Sequence, residues 1–251
     1  MKHDVFVVTA AYGNDNVLAL GGQHKLLPII AQSGAAGVEI RRELLTETDL
    51  RELPELARAI SAHGLRCFYS APEALFAPDG AQNTLLPQLF DEAEQLNAER
   101  LKLSLGHYQA TGHNADAEQT LAAFLAAQQV KLLVENDQTE CGVLLPLKDF
   151  FTRAAGANLP VGMTFDMGNW HWVGQAPQPA AAALATFVSY IHVKVAVRSA
   201  TGWGAVPPDE SDDTWRQLLA ALPDNAPRGI EFPLIGDDLA AVTRRFVSLL
   251  Q

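Results

Sequence analysis

The chain has 251 residues, of which 48% are hydrophobic and 19% are charged, so it can bury the core of one large globular domain. Its formal net charge of −11 argues against nucleic-acid binding, because phosphate backbones are bound by clustered Lys and Arg. Residues 1–10 lack the apolar segment of a secretory signal, and no later apolar run is long enough to cross a membrane, so we expect a cytoplasmic protein.

Short β-rich runs alternate with helix-like segments eight times along the chain. The predicted strands cover residues 4–10, 37–41, 65–70, 100–105, 132–135, 161–166 and 188–192, and an eighth ends near residue 232. The predicted helices, where apolar residues recur at helical spacing, cover residues 24–32, 48–63, 84–97, 117–128, 147–155, 177–186, 214–222 and 237–250. A long loop around Trp203 is expected before the helix that begins at residue 214.

This alternation predicts an α/β fold in which helices cover a parallel sheet. Eight such units in one chain of this length favour a closed (β/α)8 TIM barrel that forms a single domain over residues 1–251. An open, doubly wound sheet is the alternative. In both folds the active site lies at the carboxyl ends of the strands.

The common cofactor and nucleophile motifs are missing from the sequence. No GxGxxG follows the first strand, and neither GxxxxGK[ST] nor GxSxG is present, so dinucleotide, P-loop and nucleophile-elbow chemistry lack their usual marks. The two cysteines, Cys67 and Cys141, show no metal-ligand spacing. We therefore expect the chemistry to come from a metal ion together with acid and base side chains.

The fifth to the eighth predicted strands each end in one side chain that can bind a metal. These side chains are Glu135, Asp166, His192 and Glu231. Each alone is more often a helix cap, a solvated carboxylate or a hydrogen-bonded core histidine, but barrel closure would bring all four to one mouth. Three carboxylates and one imidazole suit Mn²⁺ or Mg²⁺ first, with Co²⁺ or Zn²⁺ as alternatives.

Five short motifs resemble the xylose isomerase-like TIM barrels, the sugar-phosphate isomerase/epimerase superfamily, and together they span nearly the whole chain. They are GVEI at 37–40, VEN at 134–136, FDMGN at 165–169, IHVK at 191–194 and GIE at 229–231. The resemblance implies that Glu135, Asp166, His192 and Glu231 bind the metal, and that Glu135 and Glu231 form the acid/base pair. Metal-dependent isomerases and 3-epimerases of ketoses are the members to which the chain is most similar.

The reaction expected of such a site is enolisation of a small carbohydrate: a sugar, a sugar phosphate or a keto sugar acid. A proton next to a carbonyl is weakly acidic, so a divalent ion must stabilise the enediolate as it forms. One glutamate removes the proton, and the other returns it to the opposite face in an epimerase or to the neighbouring carbon in an isomerase. The sequence leaves that choice open.

Positions near the strand ends supply the candidate substrate-binding residues. Lys194 and Arg198 follow the seventh strand and can hold an anionic or hydroxyl group, although a surface ion pair explains Arg198 equally well. Further candidates are Lys102, His107, Glu39 and Trp172, with Tyr12, Arg41 and Tyr69 ranked lower on topology alone. Trp170, Trp172 and Trp203 could form an aromatic wall at the mouth against the apolar face of a sugar, although tryptophans at a barrel rim are also ordinary loop packing.

Two positions depart from the pattern of the relatives. Many of them carry a histidine where Asn169 stands, so the role of that histidine must be lost or moved to His171. Many also carry an acidic residue where Val195 follows Lys194. The alternatives to an isomerase are a metal-dependent dehydratase of a polyol-derived ketone and a non-catalytic protein of the same fold. A homodimer is left open, and no nucleic-acid or membrane partner is expected.

Overall fold

The computed structural model describes residues 2–110 and 115–251, and its centre is a closed barrel of parallel strands. The strands within these described residues are β1 (Val5–Val8), β2 (Gly37–Arg41), β3 (Arg66–Phe76), β4 (Arg100–Gly106), β5 (Lys131–Glu135), β6 (Val161–Asp166), β7 (Val188–Val193), β8 (Val195–Ser199), β9 (Gly202–Val206) and β10 (Arg228–Ile230). Strands β1 to β7 follow one another around the barrel, and β10 closes it between β7 and β1. The predicted (β/α)8 barrel is confirmed, and the open sheet is excluded.

Helices follow the barrel strands and cover the outside of the sheet. They are α1 (Asn14–Ala19), α2 (Leu27–Gln32), α3 (Glu47–Arg51), α4 (Leu53–Ala62), α5 (Leu86–Gln95), α6 (Ala115–Ala126), α7 (Leu144–Gly156), α8 (Pro177–Leu184), α9 (Thr214–Ala220) and α10 (Leu239–Leu250). Thr46 and Asp49 form a reciprocal capping box that begins α3, and Asp238 caps α10. Among the described residues, no helix combines the length and apolar character needed to cross a bilayer.

Two predicted strand ends were wrong, and two elements were not predicted. The first strand ends at Val8 because a 3₁₀ turn begins at Thr9, and α1 lies in a segment that was not predicted to be helical. β3 continues to Phe76, well past the predicted end, because a register shift after Ser70 accommodates Pro72 and the strand then pairs again with β4. The expected loop around Trp203 is an antiparallel hairpin formed by β8 and β9.

The lower interior of the barrel is filled by an apolar plug. Its four buried side chains are Phe6, Phe68, Leu133 and Tyr190. The rings of Phe6 and Phe68 stack with centroids 3.9 Å apart, and Tyr190 meets Phe68 edge-on at 4.9 Å. Gly37 must lack a side chain here, because a Cβ atom would lie 2.3 Å from the Phe6 ring.

The inward-facing side chains change from apolar to polar two residues beyond this plug, toward the carboxyl ends of the strands. Alternate residues of a strand point to the same face, so the residue two positions after each plug residue also points inward. After Phe68, Leu133 and Tyr190 these residues are Ser70, Glu135 and His192, all of them buried and polar. The plug is therefore the floor of a polar chamber that opens at the carboxyl ends of the strands.

A separate buried charge network joins the end of β2 to α5. Arg42 donates to both carboxylate oxygens of Glu92, at 2.8 and 3.0 Å, and Tyr69 donates to Glu92 at 2.7 Å. Burial favours the protonated form of Glu92, but the hydrogen bonds from Arg42 and Tyr69 outweigh it and lower the pKa of Glu92. This network supports the barrel wall. The hydroxyl group of Tyr69, a lower-ranked candidate for substrate binding, is buried in it.

Candidate active site

The four predicted metal-ligating side chains meet at the carboxyl end of the barrel. Glu135 and Asp166 are the last residues of β5 and β6, His192 lies in β7, and Glu231 directly follows β10. One ligand atom from each lies within 4.8 Å of all the others. The side chains of Glu135, Asp166 and His192 are buried, whereas that of Glu231 is 16% exposed and faces the mouth.

The atoms that converge on this point lie close together without forming regular hydrogen bonds. His192 Nδ1 lies 2.6 Å from Glu135 Oε1, 3.3 Å from Glu231 Oε2 and 3.9 Å from Asp166 Oδ2. Nδ1, Glu135 Oε1 and Asp166 Oδ2 are buried, yet none forms a hydrogen bond of acceptable geometry with any described residue. Buried polar atoms are normally satisfied. Within the described residues, these three atoms have only ion-pair contacts, with one another, with Glu231 and from Lys194 to Asp166 Oδ2, and they face one point. Such an arrangement fits a divalent cation with oxygen and imidazole ligands.

Asp166 is oriented by the loop that follows it and by the neighbouring strand. Its Oδ1 accepts hydrogen bonds from the backbone amides of Gly168 and Asn169, both at 2.8 Å, which leaves Oδ2 for the cluster. Asn136 binds both backbone groups of Asp166, accepting from its amide at 2.9 Å and donating to its carbonyl at 3.0 Å. This role of Asn136 was not predicted, although its position directly after Glu135 places it at the carboxyl end of β5, next to the candidate metal ligands.

Asn169, where the family resemblance led us to expect a histidine, has a structural role. Its side chain donates to the carbonyl of Asn136 at 2.8 Å and accepts from Gln138 at 3.0 Å. His171, considered as a replacement for that histidine, instead packs on Trp203 with ring centroids 4.8 Å apart. The loop after β6 is thus held by amides, without a titratable group at position 169.

Two buried lysines balance the carboxylates. Lys102, from β4, forms an ion pair with Glu135 Oε2. Lys194 donates to Glu231 Oε2 at 2.9 Å and lies 2.9 Å from Asp166 Oδ2. Both lysines had been predicted to bind substrate. In the structure each contacts candidate metal ligands, and each side chain is only 7% exposed.

The electrostatic balance differs between the carboxylates. Burial favours the protonated acid in each case, but Lys102 and His192 lower the pKa of Glu135 to about 2. Burial dominates at Asp166 and raises its pKa to about 8, although Lys194 opposes the shift. The neighbouring carboxylates of Glu231 and Glu135 also raise the pKa of Asp166, so a cation bound among these groups would favour its ionised form.

Arg41, at the end of β2, holds the outer oxygen of Glu231 at 3.1 Å. Gln23 fixes the backbone of Arg41: its amide group donates to the Arg41 carbonyl and accepts from the Arg41 amide, both at 2.8 Å. Thr9 also donates to Gln23, at 2.6 Å. Arg41 was ranked low on topology, and Gln23 was not predicted because it begins a short 3₁₀ helix that is separated from Arg41 by 17 residues of the chain.

The mouth is flanked by an aromatic wall of two tryptophans, Trp172 and Trp203, whose ring centroids are 6.3 Å apart. Arg198 lies 5.5 Å over the Trp203 ring, and Lys194 Nζ lies 5.8 Å from the centre of the Trp172 ring. Trp170 does not belong to the wall as predicted, because it is completely buried and packs against the core of the barrel.

The remaining candidates lie in three different places. Glu39 is completely buried behind His192, with Oε2 2.8 Å from Nε2 of that ring, and its contact with substrate stays a prediction. His107 is exposed just beyond β4. Tyr12 is buried and hydrogen-bonded to Thr243 at 2.9 Å, which ties it to α10.

Solved structures of similar architecture are numerous, whereas no protein-family model and no curated protein sequence matches the chain. A xylose isomerase domain-containing protein from Salmonella typhimurium is similar over 100% of this chain and 98% of its own, with 14% identity and a TM-score of 0.70. A D-psicose 3-epimerase matches 98% of this chain and 97% of its own, with 11% identity and a TM-score of 0.65. A probable 3-DHS dehydratase of petrobactin synthesis from Bacillus anthracis matches 98% of each chain, with 14% identity and a TM-score of 0.63. These likenesses confirm the predicted xylose isomerase-like TIM-barrel fold.

Proposed function

We propose that this protein is a metal-dependent isomerase or epimerase of a small sugar, sugar phosphate or keto sugar acid. The observation that carries the proposal is the convergence of three buried ligand atoms, none with a regular hydrogen bond, beside a partly exposed glutamate at the barrel mouth. A D-psicose 3-epimerase of the same fold supports the choice of substrate class. Metal dependence follows from the donor set, with Mn²⁺ or Mg²⁺ preferred and Co²⁺ or Zn²⁺ also accepted.

Glu135, Asp166, His192 and Glu231 would hold the ion. When bound, a divalent ion polarises the carbonyl and hydroxyl oxygens of a substrate and so makes the adjacent C–H bond more acidic. The protein contributes a chamber closed below by the apolar plug, in which a carboxylate base is shielded from bulk water.

The proton transfers are assigned to Glu135 and Glu231. One carboxylate takes the proton from the carbon next to the carbonyl, and the electron pair of the broken C–H bond moves into the enediolate. The other glutamate, protonated as a carboxylic acid, gives its proton to carbon and is left as a carboxylate; the proton arrives on the opposite face in an epimerase or on the neighbouring carbon in an isomerase. Lys102 keeps Glu135 ionised, and Arg41 orients Glu231 through its outer oxygen.

Substrate binding is assigned to the lysine and the aromatic wall above the cluster. An ammonium group has three N–H donors, and Lys194 directs one to Glu231 and lies beside Asp166, which leaves donor capacity for a substrate hydroxyl or anionic group. Trp172 and Trp203 offer faces for the apolar side of a sugar, and Arg198 on the hairpin offers a positive charge at the rim.

A dehydratase is the second candidate function, because a probable 3-DHS dehydratase shares the fold. The same deprotonated carbon can expel a β-hydroxyl group as water instead of being reprotonated. The mass of the product separates the two, since an isomer or epimer has the mass of the substrate and a dehydration product has lost one water. A cytoplasmic location and a homodimeric assembly stay predictions.

The test combines metal content with isotope exchange. Elemental analysis of protein prepared without chelator should find about one divalent ion per chain. Ketoses, ketose phosphates and keto acids incubated with the protein and Mn²⁺ in heavy water should gain deuterium at carbon, which reveals enolisation even without net conversion. Protein that binds no divalent metal and exchanges no substrate in the panel would overturn the proposal and favour a non-catalytic member of the fold.

A further inference from the structure

Glu39 lies behind the histidine of the cluster, on the side away from the other ligand atoms. It is the third residue of β2, and its side chain is completely buried. Glu39 Oε2 lies 2.8 Å from His192 Nε2, while Nδ1 of the same ring faces the other candidate ligands. The imidazole therefore bridges a buried carboxylate and the candidate metal centre.

The two nitrogens of a neutral imidazole have different roles, since one carries a proton and the other a lone pair. A metal ligand at Nδ1 needs the lone pair there, so the proton must be on Nε2. A carboxylate only accepts hydrogen bonds, and Glu39 is placed to accept one from Nε2–H and from no other ring atom.

We infer that Glu39 is a positioning residue that holds His192 in its Nε2–H tautomer and thereby strengthens metal binding at Nδ1. The inference rests on the proposed function, because it presupposes that the cluster binds a divalent ion. Carboxylate partners of metal-bound histidines contribute to affinity through ligand orientation and basicity.

The packing around the ring leaves little room for another orientation. Tyr190 meets the imidazole edge-on, with centroids 4.9 Å apart. On the neighbouring strand β10, a Cβ atom at Gly229 would lie 2.8 Å from His192 Cδ2, so only glycine allows this approach. Glu39 itself lies within a paired strand, and Thr9 donates to its carbonyl at 3.2 Å. Both partners of the contact are thus fixed by the barrel rather than by a loop.

The matched control is Glu92, a second buried glutamate that belongs to the network with Arg42 and lies outside the metal cluster. Replacing Glu92 with Gln removes the same charge from a comparable environment. A general effect of losing a buried carboxylate would appear in both variants, whereas an effect through His192 would appear only at position 39.

The experiment measures Mn²⁺ affinity by titration, with free Mn²⁺ followed by electron paramagnetic resonance. Glu39→Leu should weaken Mn²⁺ binding about 10- to 100-fold. Glu39→Gln should weaken it less, because the amide oxygen can still accept from Nε2–H, and Glu92→Gln should leave it unchanged. In Mg²⁺-loaded protein, imidazole ¹⁵N shifts should show a protonated Nε2 in the parent and a loss of that preference in Glu39→Leu.

Two outcomes separate this inference from the proposed function. A folded Glu39→Leu protein with the parent's Mn²⁺ affinity and tautomer would overturn the positioning role and leave the metal site standing. A parent protein that binds no Mn²⁺ would overturn both. If Glu39→Leu does not fold, Glu39→Asp carries the test: its shorter side chain withdraws the acceptor from Nε2, and undiminished Mn²⁺ affinity in that variant would also overturn the inference.

Discussion

Replacing Lys194 with Met should destabilise the metal-free protein strongly and the Mn²⁺-bound protein much less. Lys194 Nζ lies 2.9 Å from both Asp166 Oδ2 and Glu231 Oε2, and its side chain is 7% exposed. The variant leaves two neighbouring carboxylates without that positive charge. A bound cation would return positive charge to the same two oxygens, because both belong to the candidate metal cluster.

The magnitude follows from the burial of the pair. Removing one partner of a buried ion pair costs about 3–5 kcal/mol in the free energy of unfolding. In a protein of this length that corresponds to a fall in Tm of roughly 6–20 °C. If Mn²⁺ offsets about 2 kcal/mol of this loss, the thermodynamic cycle requires the variant to bind Mn²⁺ about 30-fold more tightly than the parent.

The assay is urea unfolding of parent and variant in EDTA and in saturating Mn²⁺, with Mn²⁺ affinity measured separately. Lys148→Met is the control, because Lys148 is an exposed lysine of α7 whose loss should change stability by no more than about 0.5 kcal/mol. Equal destabilisation of Lys194→Met with and without Mn²⁺, together with unchanged Mn²⁺ affinity, would refute the idea that Lys194 and the ion share these carboxylates.

Four other expectations address the metal, the acid/base pair, the rim and acid stability. His192→Ala should abolish stoichiometric metal in elemental analysis; a full complement of metal would contradict the ligand assignment. Glu135→Gln and Glu231→Gln, assayed at saturating metal, should each lower kcat by about 10² to 10⁴-fold, with the double variant little worse than the less active single one; near-parent turnover in Glu231→Gln would overturn the mechanism. Trp203→Ala should raise KM more than it lowers kcat in steady-state kinetics, whereas an unchanged KM would remove Trp203 from the substrate pocket. Because the pKa of Glu92 is lowered on folding, its ion pair stabilises above the unfolded pKa of about 4.3 and is lost as the pH falls through the folded value; the stability gap between parent and Glu92→Gln in urea unfolding should therefore shrink between pH 7 and pH 3, and a constant gap would contradict the assignment.

The barrel and the four clustered side chains could be predicted because local patterns determine them. An apolar run that ends in Glu135 or Asp166 identifies both the strand and the side chain at its carboxyl end. Barrel closure then brings the ends of neighbouring strands together, whatever the details of the loops. Order along the chain was therefore enough to place these residues in one cluster.

The supporting residues could not be predicted, because their partners are distant in sequence. Gln23 pairs with the backbone of Arg41, and Glu39 with His192 across the barrel, so neither relation leaves a local pattern. The sequence also did not reveal in which direction a side chain points. Trp170 and Trp172 both follow β6 closely, yet Trp170 points into the core whereas Trp172 is part of the aromatic wall. The hairpin of β8 and β9 escaped prediction because its strands are short and only partly buried.

The apolar plug has a consequence for how this protein can change during evolution. Phe68, Leu133 and Tyr190 each lie two residues before a polar residue of the chamber, roughly 7 Å along the same strand. A substitution in the plug that shifts a strand must shift the chamber residue on that strand as well. The plug residues are therefore expected to change together or not at all, whereas the hairpin and the rim can vary freely and supply new specificities above an unchanged centre.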